Sequence, residues 1–130
     1  MQRDRLLVEE MIDATTRAIE LVSDVDLEQL EADRDRREAL LWNFTVLGEA
    51  AMQISPELKS EHDEVAWSRP SRLRNRIVHG YWSIDLSILH TTATDDLPAF
   101  KAQLHSVLKT LDQAEPPEPE PPRDAQPPSP

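Results

Sequence analysis

Apolar residues recur every three or four positions along most of the chain, which is the spacing that places them on one face of an α-helix. In the first such segment, over residues 4–22, the apolar positions are Leu7, Met11, Ala14, Ala18 and Leu21. A second segment begins near residue 27 or 35 and ends near residue 54, and its apolar positions are Leu40, Phe44, Leu47, Ala51 and Ile54. Both patterns predict long amphipathic helices that bury one face.

Shorter helices are expected after residue 54, where turn-forming residues divide the pattern. Ser55-Pro56 ends the second helix and starts a short turn. A third helix is predicted to have Ser68 as its N-cap and to run through Val78, with Gly80 in a left-handed conformation at its end.

Two further helices complete the predicted fold. The first is capped by Ser83 or Asp85 and continues to about residue 93, after which Pro98 breaks or kinks the chain. Asp96 is expected to cap the last helix, which carries apolar residues over positions 97–111. Four or five antiparallel helices with short connections predict an all-α, up-and-down bundle.

Gly48 lies inside the second predicted helix without ending it. Glycine lowers helix stability by about 1 kcal/mol relative to alanine, and the chain contains only two glycines. We therefore expect a close crossing of two helices at this position. The next residue, Glu49, is either an ordinary surface carboxylate or the partner of an arginine on the third helix.

The composition of the chain changes after residue 113. The last sixteen residues, EPPEPEPPRDAQPPSP, contain eight of the eleven prolines. Because proline donates no backbone hydrogen bond, residues 114–130 are expected to form a disordered or extended tail behind a helical domain at residues 1–113. A solubilising extension and a docking motif for a proline-binding module both fit this composition.

The chain contains no cysteine and no apolar run of the roughly 20 residues that a membrane-spanning helix needs. Its charged N-terminal segment, MQRDRLLVEEMID, lacks the apolar core of a signal peptide. We expect a cytoplasmic protein with no membrane contact, disulfide, metal site or cofactor.

Positive charge is concentrated in one stretch of an otherwise acidic chain. The formal net charge is −11, yet residues 65–84 contain no acid and four arginines, which are Arg69, Arg72, Arg74 and Arg76. Charges are screened over about 8 Å at physiological salt, so this stretch can face a polyanion despite the overall charge. A nucleic acid therefore stays open as a partner.

On a helical wheel, Arg72, Arg76 and His79 fall within about 60° of one another, whereas Arg74 lies roughly 140° from His79. One straight helix cannot bring Arg74 and His79 together. Either the helix unwinds before Gly80, or a second copy of the chain supplies the missing partner.

The residue types in this stretch suit RNA cleavage without a metal ion. A neutral imidazole, with an ordinary pKa of about 6.5, can take the proton from a ribose 2′-hydroxyl. A guanidinium can hold the scissile phosphate and stabilise the charge that develops on it. Arg74 and His79 are the candidate catalytic residues, and a second His79 or Tyr81 could protonate the leaving oxygen.

The neighbouring side chains are candidates for RNA binding, because they supply cations and polar groups for phosphates and an indole that can stack on a base. These residues are Arg72, Asn75, Arg76 and Trp82. The other tryptophan on a predicted helix, Trp42, is expected to pack in the core or in a dimer. An arginine-rich helix ending in histidine and glycine is also typical of a solvated surface.

The segment RNRIVHGY at residues 74–81 resembles the R-x4-H-x-Y motif of HepT-like toxins, a branch of the HEPN superfamily, with Arg74, His79 and Tyr81 at its named positions. GEAA at residues 48–51 and DLP at residues 96–98 are similar to flanking segments of that family. The resemblance extends over roughly residues 1–112 and does not include the tail.

This resemblance implies a helical bundle that forms a two-fold homodimer, with the two motifs facing each other. It implies a metal-independent ribonuclease that acts as the toxin of a toxin–antitoxin pair. The implied partner is a minimal nucleotidyltransferase (MNT) antitoxin that transfers AMP onto Tyr81. The alternative is a non-catalytic helical adaptor, or a substrate-binding subunit of such a nucleotidyltransferase.

Overall fold

The computed structural model describes residues 2–114, and every element in this range is helical. The four longer helices are α1 (Gln2–Val22), α3 (Arg34–Gln53), α5 (Ser68–His79) and α7 (Leu97–Ala114). The shorter elements are α2 (Leu27–Ala32), α4 (Pro56–Glu61), a 3₁₀ turn (Tyr81–Ser83), α6 (Leu86–Thr91) and a π-helical turn (Thr92–Asp96). The prediction of an all-α fold is confirmed.

Two further expectations from the sequence are a proline-rich C-terminal tail and the absence of a membrane-spanning helix. The proline-rich tail predicted after residue 113 lies outside the described residues, which end at Ala114. None of the described helices is long and apolar enough to cross a membrane.

Helix α1 lies between α3 and α7 and is antiparallel to both. Near its start, Arg5 Nη2 is 3.0 Å from Asp112 Oδ1 close to the end of α7. Near its end, the Leu21 carbonyl accepts a hydrogen bond of 2.8 Å from Arg36 Nη1 at the start of α3. Helix α5 packs against α3, so the helices lie side by side as α5, α3, α1 and α7.

The core contains the residues that the periodicity predicted for the two longest helices. All five apolar positions predicted for α3 are buried, as are Met11, Ala14 and Ala18 of α1. Leu7 and Leu21 are half-buried instead, because the adjacent valines take the fully buried positions on that face. The spacing therefore located both helices and most of their buried residues.

Polar caps separate the elements at the places where the sequence suggested turns. Asp33 follows α2 and caps α3, and its Oδ1 accepts a hydrogen bond of 3.1 Å from the Arg36 backbone N–H. Ser55 caps α4. Asp85 caps α6, and hydrogen bonds from the Ser87 hydroxyl and backbone N–H hold the pKa of the Asp85 carboxyl below its usual value.

Three boundary predictions are wrong. Ser68 is the first residue of α5 rather than its N-cap, because Trp67 already has helical angles (φ −56°, ψ −34°) and makes no side-chain cap bond. Gly80 ends α5 with φ −143°, since the chain enters the 3₁₀ turn directly without a left-handed residue. Asp96 caps no helix, because α6 continues through the π-turn into α7, and this turn accommodates the missing N–H of Pro98.

A buried carboxylate joins the start of α1 to the junction of α3 and α4. Asp4 is 3% exposed, and its two oxygens accept hydrogen bonds from the Ser55 backbone N–H at 3.0 Å and the Ser55 hydroxyl at 2.5 Å. Asp4→Ala is expected to lower the free energy of unfolding by about 1–3 kcal/mol, because both Ser55 donors lose their acceptor. Urea denaturation measures this loss. Glu10→Ala, at an exposed position of the same helix, should leave stability nearly unchanged.

Candidate active site

Helices α3 and α5 cross at Gly48 at a distance that no other residue there would permit. A Cβ atom at this position would lie 2.2 Å from Arg74 Cβ and 2.5 Å from the Pro70 carbonyl oxygen. The predicted close crossing is therefore confirmed. Because Gly48 has no side chain, the first part of the Arg74 side chain packs directly against the backbone of α3.

The guanidinium of Arg74 is held by one ion pair and one hydrogen bond. Its Nη2 is 3.2 Å from Glu49 Oε2 on α3, and its Nη1 donates to Asn75 Oδ1 at 3.0 Å. The Arg74 side chain is only 26% exposed, whereas that of Glu49 is half exposed. Of the two alternatives for Glu49, pairing with an arginine is the one observed. Charge-assisted contacts of this kind fix both the position and the orientation of a guanidinium.

His79 is the last residue of α5, and its side chain is exposed. Within residues 2–114 its imidazole has no hydrogen-bond partner. Helix α5 stays helical up to His79, and the Gly80 backbone N–H donates to the Arg76 carbonyl at 3.0 Å. The helix therefore does not unwind before Gly80, and within one chain Arg74 and His79 lie on different sides of α5.

Tyr81 and Trp82 form the 3₁₀ turn after α5 and point away from the core. Tyr81 is 48% exposed and Trp82 is 87% exposed. The turn therefore presents a phenol and an indole to solvent at the end of α5.

Five of the six large apolar side chains that are exposed in residues 2–114 lie on α3, α5 and the following turn. They are Trp42, Met52, Val78, Tyr81 and Trp82, and we call them the exposed apolar face. The suggestion that Trp42 packs in the core is wrong, since this residue is 67% exposed. The other suggestion for Trp42, packing in a dimer, stays a prediction.

The remaining candidate residues divide between the two sides of α5. Asn75 is exposed but its side-chain oxygen is bonded to Arg74. Arg72 and Arg76 are exposed on the side of α5 that faces α7, where they line a groove. The sequence pattern does not predict this groove, because residues from separate segments form it and Phe100 has the spacing of a core residue.

Comparison with known proteins identifies the family. The family model described as "Ribonuclease HepT-like" matches residues 11–107 of this chain. The chain belongs to the HepT-like ribonuclease family. The predicted family and the prediction of a ribonuclease are confirmed by this match.

Curated relatives of this HepT-like chain agree with the family match. A protein of Thermococcus cleftensis named "Probable ribonuclease HepT" is 24% identical over 102 residues, which cover 78% of this chain and 93% of that protein. A second relative, from Caldanaerobacter subterraneus subsp. tengcongensis, is also named as an RNase. It is 22% identical over 109 residues, which cover 84% of this chain and 97% of that protein. No solved structure matches the chain significantly.

The ion pair between Glu49 and Arg74 is expected to affect the rate of RNA cleavage by this HepT-like ribonuclease. Glu49→Gln is expected to lower the rate of RNA cleavage about ten-fold, because the guanidinium loses a charged partner that fixes its direction. Thermal stability should change little, since Glu49 is half exposed. Cleavage of labelled RNA measures the effect. Glu57→Gln, at an exposed position on α4, is the control and should retain full activity.

Proposed function

We propose that this chain is the ribonuclease toxin of a toxin–antitoxin pair and that it cuts RNA with Arg74 and His79 without a metal ion. The observation that carries the proposal is the held guanidinium of Arg74 on the same helix that ends in the exposed imidazole of His79. One group is preset to receive a phosphate, and the other is free to exchange protons with a substrate.

The proposed reaction is an internal transesterification. The His79 imidazole takes the proton of the ribose 2′-hydroxyl, and the 2′-oxygen forms a bond to the adjacent phosphorus while the bond from phosphorus to the 5′-oxygen breaks. Arg74 stabilises the charge that develops on the phosphate. The leaving 5′-oxygen receives a proton from a second acid, so the products carry a 2′,3′-cyclic phosphate and a 5′-hydroxyl.

Arg74 Nε supports a role in phosphate binding. This atom is buried and bonds to no acceptor among the described residues. A buried N–H without an acceptor is unfavourable by about 1–3 kcal/mol. A phosphate oxygen that draws the guanidinium outward by a small rotation would relieve this penalty. Arg72, Arg76, Asn75 and Trp82 are proposed to bind the RNA around the scissile bond.

Two copies of the chain are proposed to form the complete site. Because α5 stays helical to its end, the side chains of Arg74 and His79 lie on different sides of this helix within one chain. A two-fold dimer through the exposed apolar face would bring the His79 residues of both copies toward each other, so that one acts as base and the other as acid. Large apolar patches on a surface are typical of protein–protein interfaces.

The dimer proposal predicts the effect of a charge in the exposed apolar face. Val78→Asp is expected to shift the protein from dimer to monomer and to lower RNA cleavage strongly, because an interface core does not tolerate an unpaired carboxylate. Analytical ultracentrifugation measures the mass. Leu6→Asp is the matched control, since Leu6 is also an exposed large apolar residue, on α1 and outside this face. A Val78→Asp dimer with full activity would contradict the proposal.

Tyr81 is proposed to be the site at which a nucleotidyltransferase antitoxin silences the enzyme. The phenolic oxygen would form a bond to the α-phosphorus of ATP, with loss of its proton and departure of pyrophosphate. The half-exposed position of Tyr81 supports this proposal. An adenylate there would occupy the site and repel RNA phosphates.

One experiment tests the enzymatic proposal against the non-catalytic adaptor. Mass spectrometry first establishes that the purified full chain carries no AMP on Tyr81. The protein is then incubated with labelled RNA in EDTA, beside the same sequence as 2′-O-methyl RNA. Cleavage of the first alone, with 2′,3′-cyclic phosphate ends, supports the mechanism. Unmodified protein that binds the nucleotidyltransferase but leaves RNA intact would establish the adaptor instead.

A further inference from the structure

A groove of about 630 Å³ lies between α5 and the segment from α6 to the start of α7. This volume is within the range of about 300–1,000 Å³ that is usual for small-ligand sites. Its larger apolar lining residues come from four helices and are Phe44, Leu47, Leu73, Ile88, Leu97 and Phe100. The groove is on the side of α5 away from Gly48 and the Glu49–Arg74 pair.

The α5 rim of the groove carries a row of arginines that leads to the proposed general base. Arg69, Arg72 and Arg76 line the groove, and His79 follows three residues later. Helix positions three or four residues apart are surface neighbours, about 5–6 Å apart between Cβ atoms. In the described part of the chain, no carboxylate lies within 4 Å of these three guanidinium groups. Their charges are therefore available to an anionic ligand.

The opposite rim is acidic and comes from the π-helical turn. Asp95 and Asp96 of this turn line the groove and are exposed, and Thr92 lines it beside them. Over residues 2–114 neither aspartate has a cationic partner within 4 Å. Single π-turns within helices are frequent at functional sites. The groove thus has cations on one rim, acceptors on the other and an apolar floor between them.

We propose that this groove binds one guanine nucleotide of the RNA substrate. Its phosphate would lie on Arg72 and Arg76, its base would stack on Phe100, and its edge would meet Asp95 and Asp96. Carboxylates only accept hydrogen bonds, and guanine offers two adjacent donors, N1–H and the exocyclic amine. The proposal rests on the ribonuclease function and adds a sequence preference to it.

The division of charge favours a nucleotide over a peptide as the occupant. A nucleotide has its anion at one end and its hydrogen-bond donors at the other, which matches the two rims of the groove. Glu64, which also lines the groove, is 3.5 Å from His62 Nδ1 and so has a partner of its own. Stacking of bases on aromatic rings and contacts of arginine with phosphate are the usual means by which proteins bind single-stranded RNA.

Binding of non-cleavable RNA to the full chain tests the proposal. The probes are fluorescein-labelled 2′-O-methyl oligonucleotides of uracil that contain one internal guanine, adenine or cytosine, or none, and anisotropy gives their dissociation constants. The guanine probe is expected to bind about ten-fold more tightly than the uracil probe. The double variant Asp95→Asn and Asp96→Asn should lose this preference, whereas Glu10→Gln, an exposed acid on α1, should retain it.

Two further variants separate stacking from charge. Phe100→Leu keeps an apolar side chain for folding and is expected to weaken binding of the guanine probe about ten-fold through loss of stacking. Arg72→Ala should weaken all four probes alike and reduce the salt dependence of binding by about one phosphate contact. Arg17→Ala, on α1 and distant from the groove, should match the wild type.

The outcomes distinguish this inference from the enzymatic proposal. Equal affinity for all four probes, unchanged by the Phe100 and aspartate substitutions, would overturn the guanine site even if the protein cleaves RNA. A guanine preference that depends on the groove would stand even if the protein leaves RNA uncut. Groove variants that bind RNA normally but no longer bind a nucleotidyltransferase would assign the surface to a protein partner and also overturn the proposal.

Discussion

His79→Ala is expected to lower the rate of RNA cleavage about 10²–10⁴-fold, which is the usual contribution of a general base. The imidazole is exposed at the end of α5 and has no hydrogen-bond partner in residues 2–114, so its removal takes nothing from the packing of the bundle. A large loss of activity at unchanged thermal stability is therefore the expected result. Single-turnover cleavage of labelled RNA in EDTA, together with a melting curve, measures both quantities.

A matched control for this variant is His105→Ala. His105 is also an exposed histidine, but it lies on α7 and lines neither the groove nor the exposed apolar face. Its substitution should leave the cleavage rate within two-fold of the wild type, which is about 0.4 kcal/mol of activation free energy. Full activity of His79→Ala would remove the imidazole from the mechanism, whatever the behaviour of the control.

Gly48→Ala is the second substitution with a large expected effect. The new methyl group would meet the Arg74 Cβ at 2.2 Å and the Pro70 carbonyl oxygen at 2.5 Å, so α3 and α5 must move apart. Overpacking of this kind lowers the free energy of unfolding by about 1–3 kcal/mol. Alanine in place of glycine raises it by about 1 kcal/mol through helix propensity, so the net result is a loss of up to about 2 kcal/mol. Activity is expected to fall as well, because the shift moves the guanidinium away from Glu49.

The other glycine of the chain provides the control for Gly48→Ala. A Cβ atom at Gly80 would meet only the Ser83 hydroxyl oxygen at 2.9 Å and the Arg76 carbonyl oxygen at 3.4 Å, and the hydroxyl can rotate away. The negative φ of Gly80 is also open to alanine. Gly80→Ala should therefore leave the urea midpoint almost unchanged. If both variants were equally stable, the crossing would be looser than the observed distances require.

Local chemistry in the sequence predicted the parts of the structure that depend on neighbouring residues. The three- and four-residue spacing located α1 and α3, and the cap residues Ser83 and Asp85 located the start of α6, where Asp85 is the cap observed. A single glycine inside a helix predicted a close helix crossing, and the pairing of Glu49 with an arginine was one of the two alternatives for that residue. In each case the sequence signal comes from residues that are adjacent or a few positions apart in the chain.

The features that the sequence did not predict arise between distant segments. The π-turn before Pro98 depends on how α6 and α7 fit against α1, and a proline alone predicts only a break. Phe100 has the spacing of a core residue, and only the separation of α5 from α7 turns its position into part of a groove. The exposure of Trp42 likewise depends on which face of α3 the other helices leave uncovered.

Arg74 and His79 differ in when they lose their conformational freedom. Arg74 is largely ordered as the protein folds, because its stem packs on Gly48 and its guanidinium pairs with Glu49 and donates a hydrogen bond to Asn75. A long side chain gives up as much as about 2 kcal/mol of rotamer entropy when it is ordered, and for Arg74 this loss is already included in the folding free energy. An anion that binds there meets a preorganised group, whereas His79 must still be ordered by whatever it contacts.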